Sequence, residues 1–103
     1  MSNKLEQKPS CLKILEDNDP EYGKVFEQLF NITFSPGFLD IKTKMLIAMG
    51  INASTGMGYG CSEIAKILER EGITKREISE ALRVASTVRA IQGVVTGGET
   101  YKK

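Results

Sequence analysis

The sequence contains no histidine in its 103 residues. That absence removes the side chain whose ordinary pKa lies nearest neutrality, and with it the commonest metal ligand. Any acid–base chemistry has to use other groups, and neither a metal centre nor a cofactor is expected. Cysteine is nearly absent too: Cys11 and Cys61 are the two in the chain. They stand far apart, so there is neither a disulfide framework nor a zinc-type spacing, and a reducing compartment fits them. No apolar run approaches the roughly 20 residues needed to span a bilayer. The polar start from Met1 to Ser10 is unlike a secretory signal, so a cytoplasmic protein without a membrane partner is expected. Charge of one sign is also lacking, with 14 Lys and Arg against 13 Asp and Glu. Interspersed in this way, the charges leave no basic footprint for nucleic acid.

What is present is helical periodicity. Residues 1–18 read as an N-terminal arm in which Cys11, Leu12, Ile14 and Leu15 suit a short apolar turn or helix docked on the domain. Residues 19–103 read as one helical domain. Asp19-Pro20-Glu21 is a helix start, with Asp19 as N-cap, proline at the first helical position and an acid in the first turn. Tyr22, Val25, Phe26, Leu29 and Phe30 follow at the spacing of one buried face, and the helix is expected to stop near Ser35-Pro36-Gly37. Asp40 caps the next helix, which is apolar over much of its circumference through Ile41, Leu46, Ile47, Ala48, Met49 and Ile51. Such a helix is central to the fold or shared between subunits.

Ser54-Thr55-Gly56-Met57-Gly58-Tyr59-Gly60 is rich in helix breakers and reads as a bend. Ile64, Ala65, Ile67 and Leu68 then restore helical spacing until Gly72, a natural C-terminal cap. Thr74-Lys75-Arg76-Glu77 has the spacing of a capping box. From it Ile78, Ala81, Leu82, Ala85, Val88 and Ile91 extend one face over several turns. Gly93 and Gly97-Gly98 interrupt the apolar segment that follows, and Val94-Val95 is read as the start of a further short helix. The expectation is an all-α fold of five to six helices without a sheet. A chain of this length buries only about two-thirds of its unfolded surface, so self-association is expected.

Two stretches carry a resemblance. Lys42-Thr43-Lys44-Met45-Leu46-Ile47-Ala48 resembles a K-x-R-E-L-I-x-L-A pattern. Ala65 through Gly72-Ile73-Thr74 and Glu77-Ile78-Ser79-Glu80-Ala81-Leu82 resembles A-x-x-x-G-x-T-x-E-E-I-x-E-A-L. Between them the pattern has a C-x-x-C-x-x-x-H helix start. This is the arrangement of the carboxymuconolactone decarboxylase and alkylhydroperoxidase D family, and the resemblance covers about residues 19–98. It implies the family's helical domain, a trimeric or hexameric homo-oligomer, and either a peroxiredoxin-type dithiol activity or decarboxylation of a lactone acid.

The dithiol chemistry needs a thiolate, a resolving thiol and a base. Counting back from Gly72 without gaps puts the family's first cysteine at Met57, its second at Gly60 and its histidine at Ile64, while its glutamate falls on Met45. None of these side chains transfers a proton or forms a disulfide. Cys61 lies one position beyond the second cysteine, near a helix N-terminus that can favour a thiolate, and is the candidate catalytic residue. Cys11 is a conceivable partner for it, from the same chain or a neighbour. Met57, Gly58, Tyr59 and Gly60 are the candidate binding residues, in a pocket at the bend.

Three functions stay open on these residues. The first is a weak thiol-dependent peroxidase or disulfide reductase using Cys61. The second is a non-redox homo-oligomer that binds a small organic molecule or scaffolds a partner, and the third is a lactone-acid decarboxylase.

Overall fold

The computed structural model describes residues 9–102, which form five α-helices and a terminal 3-10 turn, with no strand among them. The helices are α1 (Ser10–Asn18), α2 (Pro20–Thr33), α3 (Ile41–Ser54), α4 (Gly58–Arg70) and α5 (Lys75–Gly97). The chain divides into two compact units, with the boundary inside α3 between Lys44 and Met45.

In the first unit α1 and α2 form a hairpin hinged at Asp19. Its backbone N–H donates to the Leu15 carbonyl at 2.7 Å and closes α1. Its carboxylate accepts from the Tyr22 N–H at 3.4 Å, and Pro20 fills the first helical position of α2. Close packing of the hairpin depends on Gly23, which is buried. A Cβ there would lie 3.3 Å from the backbone and Cβ of Leu15, and Leu12 is buried on the same helix.

The expected buried face of α2 is not buried. Tyr22, Val25 and Leu29 are each more than half exposed, and Phe26 and Phe30 are only partly covered. The reason is length, since a helix of nine residues cannot sheathe one of fourteen. The segment after α2 is held by Lys44, whose ammonium donates to the Ser35 carbonyl at 2.6 Å. Asp40 caps α3 by accepting from the Thr43 N–H at 2.8 Å. Hydrogen bonds from the Thr43 side chain and backbone hold the Asp40 carboxyl below its ordinary range.

The second unit is organised by two helix ends of the same type. At the end of α3, Gly56 takes φ +80° and the Met57 N–H reaches back to the Asn52 carbonyl at 2.8 Å. At the end of α4, Gly72 takes φ +86° and the Ile73 N–H reaches the Leu68 carbonyl at 2.9 Å, while the Gly72 N–H bonds Glu69. Both are left-handed caps that only glycine adopts without strain. The second carries the usual apolar clasp, since Leu68 and Ile73 are both buried. Buried Met45, Met49 and Ile67 complete this unit's core. Across the unit, α3 meets α4 where Asn52 faces Gly60, and it meets α5 where Gly50 faces Ala85.

The capping box of α5 is complete. The Glu77 N–H donates to the Thr74 hydroxyl oxygen at 3.2 Å, and the Thr74 N–H donates to the Glu77 carboxylate at 3.0 Å. The helix differs from expectation in two ways. It runs unbroken through Gly93, so Val94 and Val95 belong to α5 rather than to a separate helix. It also buries no residue fully: Ile78, Ala81 and Ala85 are half-buried, while Leu82, Val88 and Ile91 are exposed. A single glycine costs a helix only about 1 kcal/mol relative to alanine, which a helix of 23 residues absorbs.

Candidate functional site

The bend and the first turns of α4 hold the residues singled out by the sequence. Met57 is the N-cap of α4 and contributes no side-chain hydrogen bond. It is more than half exposed, as is Tyr59 beside it. Gly58 opens the helix in free space, where an added Cβ would touch nothing within 4 Å. Cys61 makes the first helical bond of α4, its N–H donating to the Met57 carbonyl at 3.0 Å.

The Cys61 side chain is half-buried and turned toward α3, with its thiol 3.7 Å from the Met49 carbonyl oxygen. That contact is a weak S–H donor bond, and a thiolate could not make it. Cys61 and Cys11 are both free thiols. Cys11 lies on α1 in the other compact unit, exposed.

The positions at which the resemblance, counted back from Gly72, places the family's reactive groups hold apolar residues or glycine. Met45, at the glutamate position, is 4% exposed in the core. Ile64, at the histidine position, is half-buried. Among the described residues no group of three or more Cys, Asp or Glu side chains is placed to hold a metal ion.

Gly60, at the second-cysteine position, faces the Asn52 carboxamide. A Cβ there would come within 2.7 Å of Asn52 Nδ2 and 3.1 Å of its Cγ, closer than real side chains approach one another. Asn52 is the residue that reading the sequence missed. The end of its side chain stands next to where a Cβ at residue 60 would begin, eight residues back along the chain on the helix before the bend. No local signal marks it, because an asparagine inside an apolar helix looks the same whether it faces solvent or a neighbouring helix.

The Met57–Gly60 segment therefore presents an exposed methionine and an exposed tyrosine around a thiol that points inward. The segment itself supplies surface, Cys61 directly after it supplies the thiol, and residues 57–60 hold no cysteine and no carboxylate.

Comparison with known proteins finds relatives over most of the chain. The chain is 34% identical over 79 residues to an uncharacterized protein of Methanocaldococcus jannaschii, covering 71% of each. It is 30% identical over 83 residues to the alkyl hydroperoxide reductase AhpD of Streptomyces griseus, covering 80% of this chain and 46% of that protein. It is 37% identical over 65 residues to an uncharacterized protein of the cox locus of Paracoccus denitrificans, covering 63% of this chain and 59% of that one. No solved structure gives a significant match. The model of the carboxymuconolactone decarboxylase family matches residues 20–96, a span running from the first residue of α2 almost to the end of α5. Matched over that span, most of its length, the chain belongs to the carboxymuconolactone decarboxylase family.

Proposed function

We propose that this protein is a non-redox member of its family, a homo-oligomer that binds a small organic metabolite without a dithiol cycle. The observation that carries the reading is Asn52 against Gly60, where a side chain at residue 60 would start 2.7 Å from the Asn52 Nδ2 and displace it. A dithiol cycle needs a thiolate, a second thiol to close the disulfide and a base. The second thiol's place holds Gly60, and Met45 and Ile64 accept no proton. Decarboxylation of a lactone acid meets the same shortage of proton-transferring groups at those two positions.

Self-association is supported by the apolar residues left uncovered on α2 and α5, where Val25, Leu29, Ile32, Val84, Ile91, Val94 and Val95 are each more than half exposed. The trimer or hexamer that the resemblance implies is the expected assembly. Sedimentation at micromolar concentration should give a mass several times the 11.3 kDa of the chain, and a species of monomer mass would remove this part of the proposal. The absence from the described residues of any helix long and apolar enough to cross a membrane, together with two free thiols, supports the expected cytoplasmic setting.

A second reading is favoured by the likeness to AhpD and by the partial exposure of Cys61. In it the Cys61 sulfur attacks a peroxide, an S–O bond forms as the O–O bond breaks, and an alcohol leaves. The resulting sulfenic acid then waits for an external thiol. Stopped-flow peroxide reduction with dithiol donors, on the wild type and on Cys61→Ser, separates the two. Slow consumption of peroxide, the same in both proteins, is the result expected of a non-redox protein. Fast multiple turnover abolished by Cys61→Ser would overturn that reading.

A further inference from the structure

The second unit contains a cavity of about 230 Å³ lined by Ala53, Ser54, Ala85, Ser86 and Arg89, with Cys61 not among its lining residues. It forms where the end of α3 passes α5, an approach allowed because Gly50 faces Ala85 there. Its volume is below the roughly 300–1,000 Å³ of sites for drug-sized ligands, so an occupant must be small. The two alanines give it an apolar floor.

Its walls carry opposite polarity. On one side, Arg89 makes no hydrogen bond or ion pair with any described residue. A guanidinium is always charged and suits a carboxylate in a paired, planar geometry, and Ser86, three residues earlier on α5, lines the same cavity. On the other side is the C-terminal end of α3, where the helix dipole gives roughly half a negative charge. The carbonyls of Ile51 and Asn52 are satisfied by the turn that follows. Those of Ala53 and Ser54 receive no hydrogen bond from any described residue, and both residues line the cavity. The Ser54 hydroxyl is already donating to the Ile51 carbonyl at 2.9 Å, so this wall accepts and does not donate.

A simple anion would meet Arg89 favourably and the helix end unfavourably. A simple cation would meet the reverse. The geometry points to a ligand that carries both charges: a short amino acid, its carboxylate on Arg89 and Ser86 and its ammonium on the free carbonyls at the end of α3. This deepens the non-redox reading above by naming a ligand class and a place for it. No residue of the bend and no thiol takes part.

The test is a titration of the full chain, ¹⁵N-labelled, followed by amide resonances. The probes are glycine, β-alanine and 4-aminobutanoate, with butanoate and butylamine as single-charge controls. At least one amino acid should give saturable shifts confined to the ends of α3 and the middle of α5. It should bind about tenfold or more tightly than either control, since each control loses one charge-assisted contact. Arg89→Gln, at an exposed position and so neutral to folding, should abolish the saturable shifts. Three outcomes would each overturn the site: no saturation by any amino acid, equal binding of butanoate, or binding unchanged in Arg89→Gln. The peroxide assay judges the non-redox reading separately. An empty cavity in a protein without turnover refutes this site alone, whereas fast Cys61-dependent turnover refutes that reading whatever the cavity binds.

Discussion

Replacing Gly60 by alanine tests how firmly Asn52 is packed against it, and the size of the effect is informative. Gly60 is the third residue of α4, where alanine should favour the helix by about 0.5–1 kcal/mol over glycine. Against this, the new methyl would sit 2.7 Å from Asn52 Nδ2 and 3.1 Å from Cγ, an overpacking of the kind that costs about 1–3 kcal/mol. All three atoms met belong to the end of the Asn52 side chain, which has to turn away, so Gly60→Ala should gain less than the helix term alone, by up to about 2 kcal/mol. In an Asn52→Ala background the obstacle is gone and only the helix term remains. There the same substitution should stabilise by up to about 1 kcal/mol. The difference is read by urea unfolding of the four proteins of the cycle, monitored by circular dichroism at one fixed protein concentration because assembly shifts apparent stability. If Gly60→Ala stabilises the wild type as much as the Asn52→Ala variant, the carboxamide swings aside freely. The argument that it is firmly packed against Gly60 then fails.

Two further outcomes follow from the core and from the cap of α3. Leu68 is fully buried and also supplies the carbonyl that closes the Gly72 cap, so Leu68→Ala should cost about 2–5 kcal/mol; a loss below 1 kcal/mol in urea unfolding would mean that the site collapses or that Leu68 is not central. Asp40 has its folded pKa lowered from 3.8, first by the Thr43 side-chain hydrogen bond and then by the Thr43 backbone. Its contribution is therefore complete above about pH 4 and is lost as pH falls through the depressed folded value. Asp40→Asn keeps a capping oxygen but cannot titrate, so its stability measured from pH 6 to pH 2 should fall less steeply than that of the wild type. Identical slopes would remove Asp40 as an acid-sensitive cap.

The helix boundaries were legible because they are written in short-range chemistry. Asp19-Pro20, Asp40, Gly72 and Thr74-x-x-Glu77 each act on backbone groups within a few residues, so their effect does not depend on what the rest of the chain does. The misreadings came where local signals had to be weighed against length or context. Gly93 looked like a stop and is absorbed within α5. Tyr22, Val25 and Leu29 looked like a buried stripe, because periodicity reports which residues share a face and not whether anything covers it.

The sequence alone determined the all-helical class and the family, and it shows that the chain holds neither a histidine nor a C-x-x-C pair, which is a matter of which atoms exist. Only the tertiary structure decided how the space was reassigned. Two things follow from how α3 lies against its neighbours: that the Asn52 carboxamide occupies the place opposite Gly60, and that the end of α3 and Arg89 of α5 face the same small cavity. Those relations join residues 8 and about 36 positions apart on different helices. Pairings of that kind are set by the packing of whole helices against each other, a long-range outcome that no local propensity encodes.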